Sequence, residues 1–379
     1  MWIRTYHACD PEQSVEEANI TFGNLPARDG MIERLSGPSI SVVIPTYNRA
    51  ALLARAIRSV IAAIRAGDDE IIVVDDGSTD ETDAVLREFV GRISVVRGAH
   101  RGAGAARNLG VRLAVNRWVA FLDSDDEWDA DKFALQRPLL DRFGDVAYVF
   151  TNFRVRMPDG TIEGNYLSRW SQDPRTWSEI LGAPRRYSEL AELPTGRDDF
   201  DVHKGSLYRQ LLFRPYLAAF TYVFRKDLGE TVPTFAEDLP TLEDWHFFAR
   251  VAKVGAGLYL DCETATQHAH TGPRLSVVPE LDVVESRLAT VRRVWGTDAA
   301  FLRTEAENFN AVCRQLEQRR DFLRGRMLAM RGRLDEARRT MTRAGTIPWK
   351  YRILLRLPDA AIRLVLVVFA FLIGDTPPP

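Results

Sequence analysis

Cysteine is scarce in this chain. Its 379 residues include three, Cys9, Cys262 and Cys313, too few and too scattered for a disulfide framework or a zinc cluster. A reduced, cytosolic compartment is the expectation. The opening MWIRTYHACDPEQ lacks the apolar stretch of a signal peptide. An excess of one charge is also missing. The net charge is −2, which argues against a polyanionic partner such as nucleic acid. The apolar run AAIRLVLVVFAFLIG (360–374) is interrupted by Arg363 and falls short of the ~20 residues that a spanning helix takes.

What remains is a globular composition, 46% hydrophobic and 27% charged, with enough apolar material for a sizeable core. The length fits two domains, or one large domain with an appendage. Charge is unevenly placed: residues 286–363 hold 18 Lys and Arg against 8 Asp and Glu.

Residues 1–38 read as an irregular extension. SISVVIPTY (39–47) is a β-branched run with the pattern of a buried strand. It leads into 48–67, where Leu52, Leu53, Ala56, Ile57, Val60, Ile61 and Ile64 recur at helical spacing. Asn48 is the expected N-cap there and Gly67 the stop. The plan repeats with a strand over 71–74, closed by Asp75 and Asp76, and a helix capped by Ser78 or Thr79. Strands at 93–98 and 118–128 flank a Gly/Ala-rich loop and helix at 101–115. Alternation at this spacing predicts βαβ units and an α/β fold with a mostly parallel sheet flanked by helices. Ligands of such sheets collect beyond the carboxyl ends of the strands. Three polar clusters fall there: Thr46-Tyr47-Asn48, Asp75-Asp76 and Asp123 to Asp126.

Residues 241–255 read as a helix that begins with Glu243 and Asp244 and turns Phe247, Phe248, Val251 and Val254 inward. A strand follows at 257–261 and a polar loop at 266–276. From 281 to 345 the pattern is helical and Arg-rich, and Ala329, Gly332, Ala337 and Ala344 suggest a helical hairpin.

The stretch FLDSDDEW (121–128) packs Asp123, Asp125 and Asp126 behind an apolar strand. Alternate residues of an extended segment share a side, and several hard oxygen donors suit Mg²⁺ or Mn²⁺. A solvated acidic loop that precedes a helix is the plainer alternative. Asp75 and Asp76 can accept hydrogen bonds from a ribose hydroxyl or a base N–H, or simply cap the next helix. RGAGAARNLG is neither a Walker loop nor a dinucleotide fingerprint. Its small residues allow close backbone approach, and Arg101 and Arg107 can meet an anion.

Taken together, SVVIPTYNRAALLARAIRSV, IIVVDDGSTDET, RGAGAARNLGVRLA, FLDSDDEW and TLEDWHFFARVA come in the order and near the spacing of family 2 glycosyltransferases. The resemblance covers about residues 40–275. It implies the GT-A fold, a nucleotide-sugar donor, transfer with inversion and a divalent cofactor, Mg²⁺ or Mn²⁺. It places Pro45 and Tyr47 at the base, Asp76 on the base edge, Arg101 near the donor and Asp123 at the ribose or sugar. The donor-binding set so implied is Pro45, Thr46, Tyr47, Asn48, Asp75, Asp76, Arg101, Arg107, Asp123 and Ser124. Asp125 is the implied principal metal ligand, with Asp126 in support. His268 and His270 lie where some members place a metal- or phosphate-contacting histidine, and His270 is the better candidate. Asp244 is the implied general base, with Glu243 placing it. The sequence departs from the family at VPTFAED, where many members have Gly-Gly-Phe.

The expected organisation is an extension (1–38), a GT-A domain (39–278) with a nucleotide-binding half (39–128) and an acceptor half (129–278), a helical Arg-rich segment (279–346) and an apolar C-terminal tail (347–379). The acceptor implied is a saccharide or a lipid-linked saccharide, in cell-surface polysaccharide or glycolipid synthesis. The tail, rich in Trp349, Lys350, Tyr351, Arg352 and Arg356, implies peripheral contact with the inner face of the cell membrane, or docking on protein instead. Two other readings are a non-catalytic nucleotide-sugar-binding or scaffold relative and a nucleotidyltransferase. Against the latter, PTYNRA follows the first strand where a Gly-rich, basic loop is usual. The aromatics of 150–224 are read mainly as a packed cap over the sheet rather than as a sugar platform.

Overall fold

The computed structural model describes residues 20–21, 38–65, 67–140, 142–228, 232–269, 278–345, 351 and 356–358. The chain divides into two compact units, one of residues 1–238 and 243–272 and one of 239–242 and 273–379.

The first unit is built on one sheet. Its strands are β1 (Ile20–Thr21), β2 (Ile40–Thr46), β3 (Glu70–Asp75), β4 (Ser94–Arg97), β5 (Trp118–Phe121), β6 (Glu127–Trp128), β7 (Val146–Arg156), β8 (Ile162–Glu163), β9 (Arg185–Arg186), β10 (Asp201–Gly205), β11 (Val223–Arg225) and β12 (Ala256–His268). They lie in the order β1-β4-β3-β2-β5-β11-β7-β12-β10-β9, with β6 on β12 and β8 on β7. At its centre β4, β3, β2 and β5 run parallel. Every residue of β2 is buried, which is why its sequence is a continuous apolar run instead of an alternation.

Direction along the sheet decides where the site can form. β11 pairs antiparallel with both β5 and β7, so β7 points the same way as β5. β12 is parallel to β7 in turn. The carboxyl ends of β2, β3, β4, β5, β7 and β12 therefore lie along one rim. Three-residue β11 made this arrangement possible, and a segment so short carries no periodicity to read.

Helices α1 (Ala50–Ala63), α2 (Thr82–Arg87) and α3 (Ala103–Leu113) connect the parallel strands. α1 buries Leu53, Ala56, Ile57 and Val60. It ends at Ala63, before the expected Gly67, and Asn48 does not cap it. Asp80 reaches across instead and accepts from Ala50 N at 3.1 Å. The same residue, not Ser78 or Thr79, accepts from Thr82 N at the start of α2. α3 lies tight on the sheet because Gly110 has no side chain. A Cβ there would overlap Val43. Gly110→Ala is expected to cost about 1–3 kcal/mol through overpacking, seen as a lower urea midpoint at unchanged slope.

Then come α4 (Lys132–Leu140), α5 (Tyr166–Ser171), α6 (Trp177–Leu181), α7 (Tyr208–Leu211) and α8 (Glu243–Val254). Below the opposite rim, Arg137 of α4 forms a buried pair with Asp69 at 2.6 Å, and Asp69 also accepts from Ile40 N at 2.8 Å. This anchors the start of β2. The aromatics of 150–224 are largely core. Tyr216, Phe220 and Tyr222 are buried, and Trp177 lies with its ring 4.0 Å from that of Tyr259. α8 turns Phe247, Phe248 and Val251 inward as expected, but Val254 stands exposed.

The second unit holds α9 (Glu280–Val294), α10 (Ala299–Met330) and α11 (Leu334–Arg343). Asp298 caps α10, accepting from Ala300 N and Phe301 N at 3.1 Å. The expected hairpin is α10–α11. It reverses at Gly332, whose φ is +74°, a conformation glycine adopts without strain. Ala329, Leu334 and Ala337 form its core, with Leu328 and Leu357 packed on it. Among the described residues no helix is long and apolar enough to cross a membrane.

Candidate active site

The N-terminus of α3 is the hub of the rim. Arg107 is buried. Its Nη2 donates to Asp123 Oδ1 at 2.6 Å, and its Nη1 to Glu243 Oε1 at 2.9 Å. Asp123 ends β5 and Glu243 begins α8, 120 residues later, so one guanidinium joins the two acidic blocks. The Phe235 ring lies 5.4 Å from the guanidinium and covers it. Both carboxylates reinforce the positive charge of Arg107 against burial.

Around it the acids crowd. Burial pushes Asp123 above the usual carboxylate range, Asp125 and Glu243 push it further, and Arg107 opposes them. Asp244 is pushed up to about 7, first by burial and then by the charge of Glu243. Its Oδ1 accepts from Trp245 N at 2.7 Å, which fixes the rotamer at the first turn of α8. A carboxyl near neutrality can both hold and release a proton at working pH.

The predicted metal-ligand loop is braced from two sides. The Asp125 carbonyl accepts from Arg55 Nη2 of α1 at 2.6 Å. Asp126 is buried, and its Oδ1 accepts from His268 N at 3.1 Å. His268 Nε2 lies 3.0 Å from Glu127 Oε2, so its ring is turned to that neighbour. Ser124 is buried. His270 lies outside the described residues. Among the described residues no three His, Cys, Asp or Glu side chains gather as a metal cage.

Two loops further along the rim, Asp76 uses both oxygens on backbone: Oδ1 accepts from Arg101 N at 3.1 Å and Oδ2 from Gly102 N at 2.7 Å. Gly98 is required here, since a Cβ would come 2.6 Å from Asp76 Oδ1. Asp75 is fully buried, paired with Arg97 at 2.6 Å and accepting from Ser78 N at 2.9 Å. Its carboxylate is thus committed to the fold. Pro45 is buried in β2. Thr46 is buried with its Oγ1 unpartnered among the described residues. Tyr47 is 41% exposed, and its ring centre lies 4.2 Å from that of His100. Asn48, at φ +50°, accepts through Oδ1 from Thr79 N at 2.8 Å and Asp80 N at 3.3 Å, clipping the loop after β2 to the loop after β3.

Sequence reasoning missed several contributors. Asn108 bonds Phe235 N and O at 2.8 and 3.0 Å and Glu237 Oε1 at 2.9 Å. Arg101 pairs with Glu237 at 2.7 Å. The segment 235–237 is thereby fastened to α3 just ahead of α8. The signal available was Asn108 itself, a polar residue in the otherwise small-residue face of RGAGAARNLG.

The chain is thus an α/β protein with its acids drawn to the carboxyl rim of the sheet around one buried arginine, Arg107. Residues 41–215 match the family model described as Glycosyl transferase family 2. The putative teichuronic acid biosynthesis glycosyltransferase TuaG of Bacillus subtilis (strain 168) is 37% identical over 129 residues, 33% of this chain and 50% of that protein. The Escherichia coli UDP-Glc:alpha-D-GlcNAc-diphosphoundecaprenol beta-1,3-glucosyltransferase WfgD is 30% identical over 131 residues, 34% of this chain and 51% of that protein. Other matched glycosyltransferases, of Rickettsia conorii and Nostoc, are covered over 27% and 31% of their length, so the chain spans a quarter to a half of these relatives. A crystal structure of S. aureus TarS 1–349 in complex with UDP-GlcNAc aligns at 17% identity and TM-score 0.49, over 81% of this chain and 89% of that one.

Proposed function

We propose that this chain transfers a sugar from a nucleoside diphosphate sugar, a UDP-sugar first among them, to an acceptor hydroxyl with inversion, in the synthesis of a cell-surface polysaccharide or glycolipid. One observation carries the reading: Arg107 ties Asp123 to Glu243 and so brings the acids of β5 and α8 into one site. The names of TuaG and WfgD, a polysaccharide-pathway enzyme and a UDP-glucose-dependent one, support the substrate class.

An acceptor hydroxyl is too weak an acid to lose its proton unaided. Asp244, held near neutrality, takes that proton as the hydroxyl attacks. Glu243, fixed by Arg107, keeps Asp244 on the rim. Asp123 faces the donor's sugar or ribose, and Tyr47 offers its exposed ring to the base. A single base suffices for one in-line displacement, which inverts the anomeric centre.

The donor set fits a divalent ion. Asp123 and Asp125 give adjacent hard oxygens, and acids here outnumber the single buried arginine. Mg²⁺ and Mn²⁺ are commonly held by one or two carboxylates, with waters and phosphate oxygens completing the shell. Asp125 would be the chief protein ligand, with Asp126 bracing the loop. Such an ion, when bound, neutralises the charge that grows on the leaving diphosphate.

A thermal-shift series with UDP and GDP, each with and without Mn²⁺, tests the binding half. At a hundredfold excess over Kd, ligand stabilises the fold by about 2.7 kcal/mol. UDP with Mn²⁺ is expected to give the largest shift, and Asp125→Ala to remove the Mn²⁺-dependent part. Equal shifts with and without Mn²⁺ would sink the metal assignment. A shift with no hydrolysis or transfer from any UDP-sugar would favour the non-catalytic relative.

A further inference from the structure

Lys132 is a buried charge that the transfer reaction does not use. It opens α4 and is fully buried. Its Nζ donates to Thr221 O at 3.1 Å and to Thr264 Oγ1 at 3.4 Å. The rings of Trp128 and Phe133 lie 5.1 and 6.0 Å from it. Among the described residues no carboxylate pairs with it. Asp129, whose charge reaches it, is engaged by Arg154 and Arg197 instead. Stability does not account for such a residue. An unpaired ammonium is far more costly to bury than a methionine of similar size. Nor do its acceptors depend on it. Thr221 O also accepts from Gln136 Nε2 at 3.3 Å, and Thr264 Oγ1 lies 2.7 Å from Thr151 Oγ1. Loss of the lysine would orphan neither.

What Lys132 does is join elements. Thr221 lies in the short turn before β11, and Trp128 Nε1 donates to Phe220 O of the same turn at 2.5 Å. Thr264 lies in β12, where that strand is irregular. Its register on β7 moves from Glu263 opposite Asn152 to Thr266 opposite Arg154. Thr264 and Ala265 thus span the place of one residue, Phe153, and the ladder is disrupted there. Beyond this bulge β12 supports the predicted metal loop. Ala265 and Thr266 pair with Trp128 and Glu127. Asp129 N donates to Thr264 O at 3.0 Å, and His268 N donates to Asp126 Oδ1 at 3.1 Å. Residues 126–129 and 264–268 form a two-stranded ribbon, with Lys132 at its base and the Asp125–Asp126 loop at its tip.

We propose that Lys132 is a positioning residue: it clamps the bulged base of this ribbon to the turn at Phe220–Thr221 and so holds the Asp125–Asp126 loop in the geometry that binds a divalent ion. The ion rests on the transferase reading; the clamp does not. Fully buried, Lys132 cannot touch donor or acceptor, so it acts only through the ribbon. An ammonium carries three donors on one atom, which lets it grip two elements at once. A methionine fills the same space and grips neither.

The test compares the full chain with Lys132→Met and with Thr264→Val, which keeps the lysine and removes its hold on β12. The urea midpoint of Lys132→Met is expected at or above that of the parent. Amide exchange over residues 264–268, read by mass spectrometry, is expected to be about tenfold faster in both variants, the worth of one hydrogen bond to a charged group. Exchange over β2 should stay as in the parent. The Mn²⁺ concentration that half-saturates the UDP-dependent thermal shift is expected to rise about tenfold, the low end of what loss of an outer support costs a metal site. Parent-like exchange at 264–268, or a parent-like Mn²⁺ requirement in both variants, would overturn the proposal. So would a Lys132→Met protein that unfolds at lower urea with exchange raised in β2 as well, since the lysine would then support the fold at large. A parent that shows no UDP–Mn²⁺ shift would defeat the transferase reading instead, and the exchange rates would still decide on the clamp.

Discussion

Arg107→Met should abolish sugar transfer and lower the unfolding free energy by about 3 kcal/mol. Methionine keeps the apolar stem of the side chain but deletes a buried charge on which two acids depend. Asp123 and Glu243 would be left facing each other, and burial already works against the charge of Asp123. Removing one member of a buried pair costs more than the pair is worth, because the remaining charges stay desolvated. The partial exposure of Asp123 and Glu243, 30% and 19% at the side chain, puts the cost at the low end of the usual range. Arg107→Lys keeps the charge yet reaches only one carboxylate, since an ammonium is a point donor and a guanidinium a fork. It is expected to recover much of the stability and little of the rate. Urea unfolding and UDP-sugar turnover on the three proteins measure both. A lysine variant with wild-type rate would show that the two-sided bridge is not needed.

The parallel half of the sheet was legible because its strands are buried on both faces and its helices carry plain stripes. Val42 to Ile44, Ile71 to Val74 and Leu53, Ala56, Ile57, Val60 fall where the pattern placed them. The site blocks were legible because each sits where a strand ends or a helix starts. What failed to show was pairing at a distance. Nothing in DDGST tells that Asp75 is spent on Arg97 while Asp76 holds two backbone amides. Nothing near Asn48 announces that it fastens one loop to another rather than capping its own helix. Lys132 is the sharpest case. Nothing in the run DADKFALQ marks it out, yet it is fully buried. Its Nζ donates to Thr221 O at 3.1 Å and lies 5.1 Å from the Trp128 ring. Burial pushes its pKa down to about 7. Such an environment is assembled from three separate stretches, 128–133, Thr221 and Thr264, and no local window contains it.

Asp244→Asn separates function from stability in opposite directions. Loss of the base is expected to slow transfer by about 10²–10⁴-fold, with UDP binding intact. In the parent protein the rate should rise with pH through about 7, as Asp244 gives up its proton, and the variant should lose that limb. Stability moves the other way. The folded pKa of Asp244 is raised above its ordinary value of 3.8 to about 7, so the folded state binds more protons than the unfolded one between those values. This group's contribution is therefore fully present below pH 3.8 and lost as pH climbs toward 7. At pH 7.5 and above, the ionised acid is a burden on the fold that asparagine, uncharged and nearly isosteric, does not carry. Asp244→Asn should accordingly be more stable than the parent at pH 8, by a few kcal/mol at most given the shift and the partial exposure of the site. The two should converge near pH 4. Denaturation curves at both pH values decide the matter. A variant less stable than the parent at pH 8 would mean that Asp244 is ionised and well paired in the folded protein, and its raised proton affinity would fall with that result; loss of the base role would instead show as a wild-type rate in the variant.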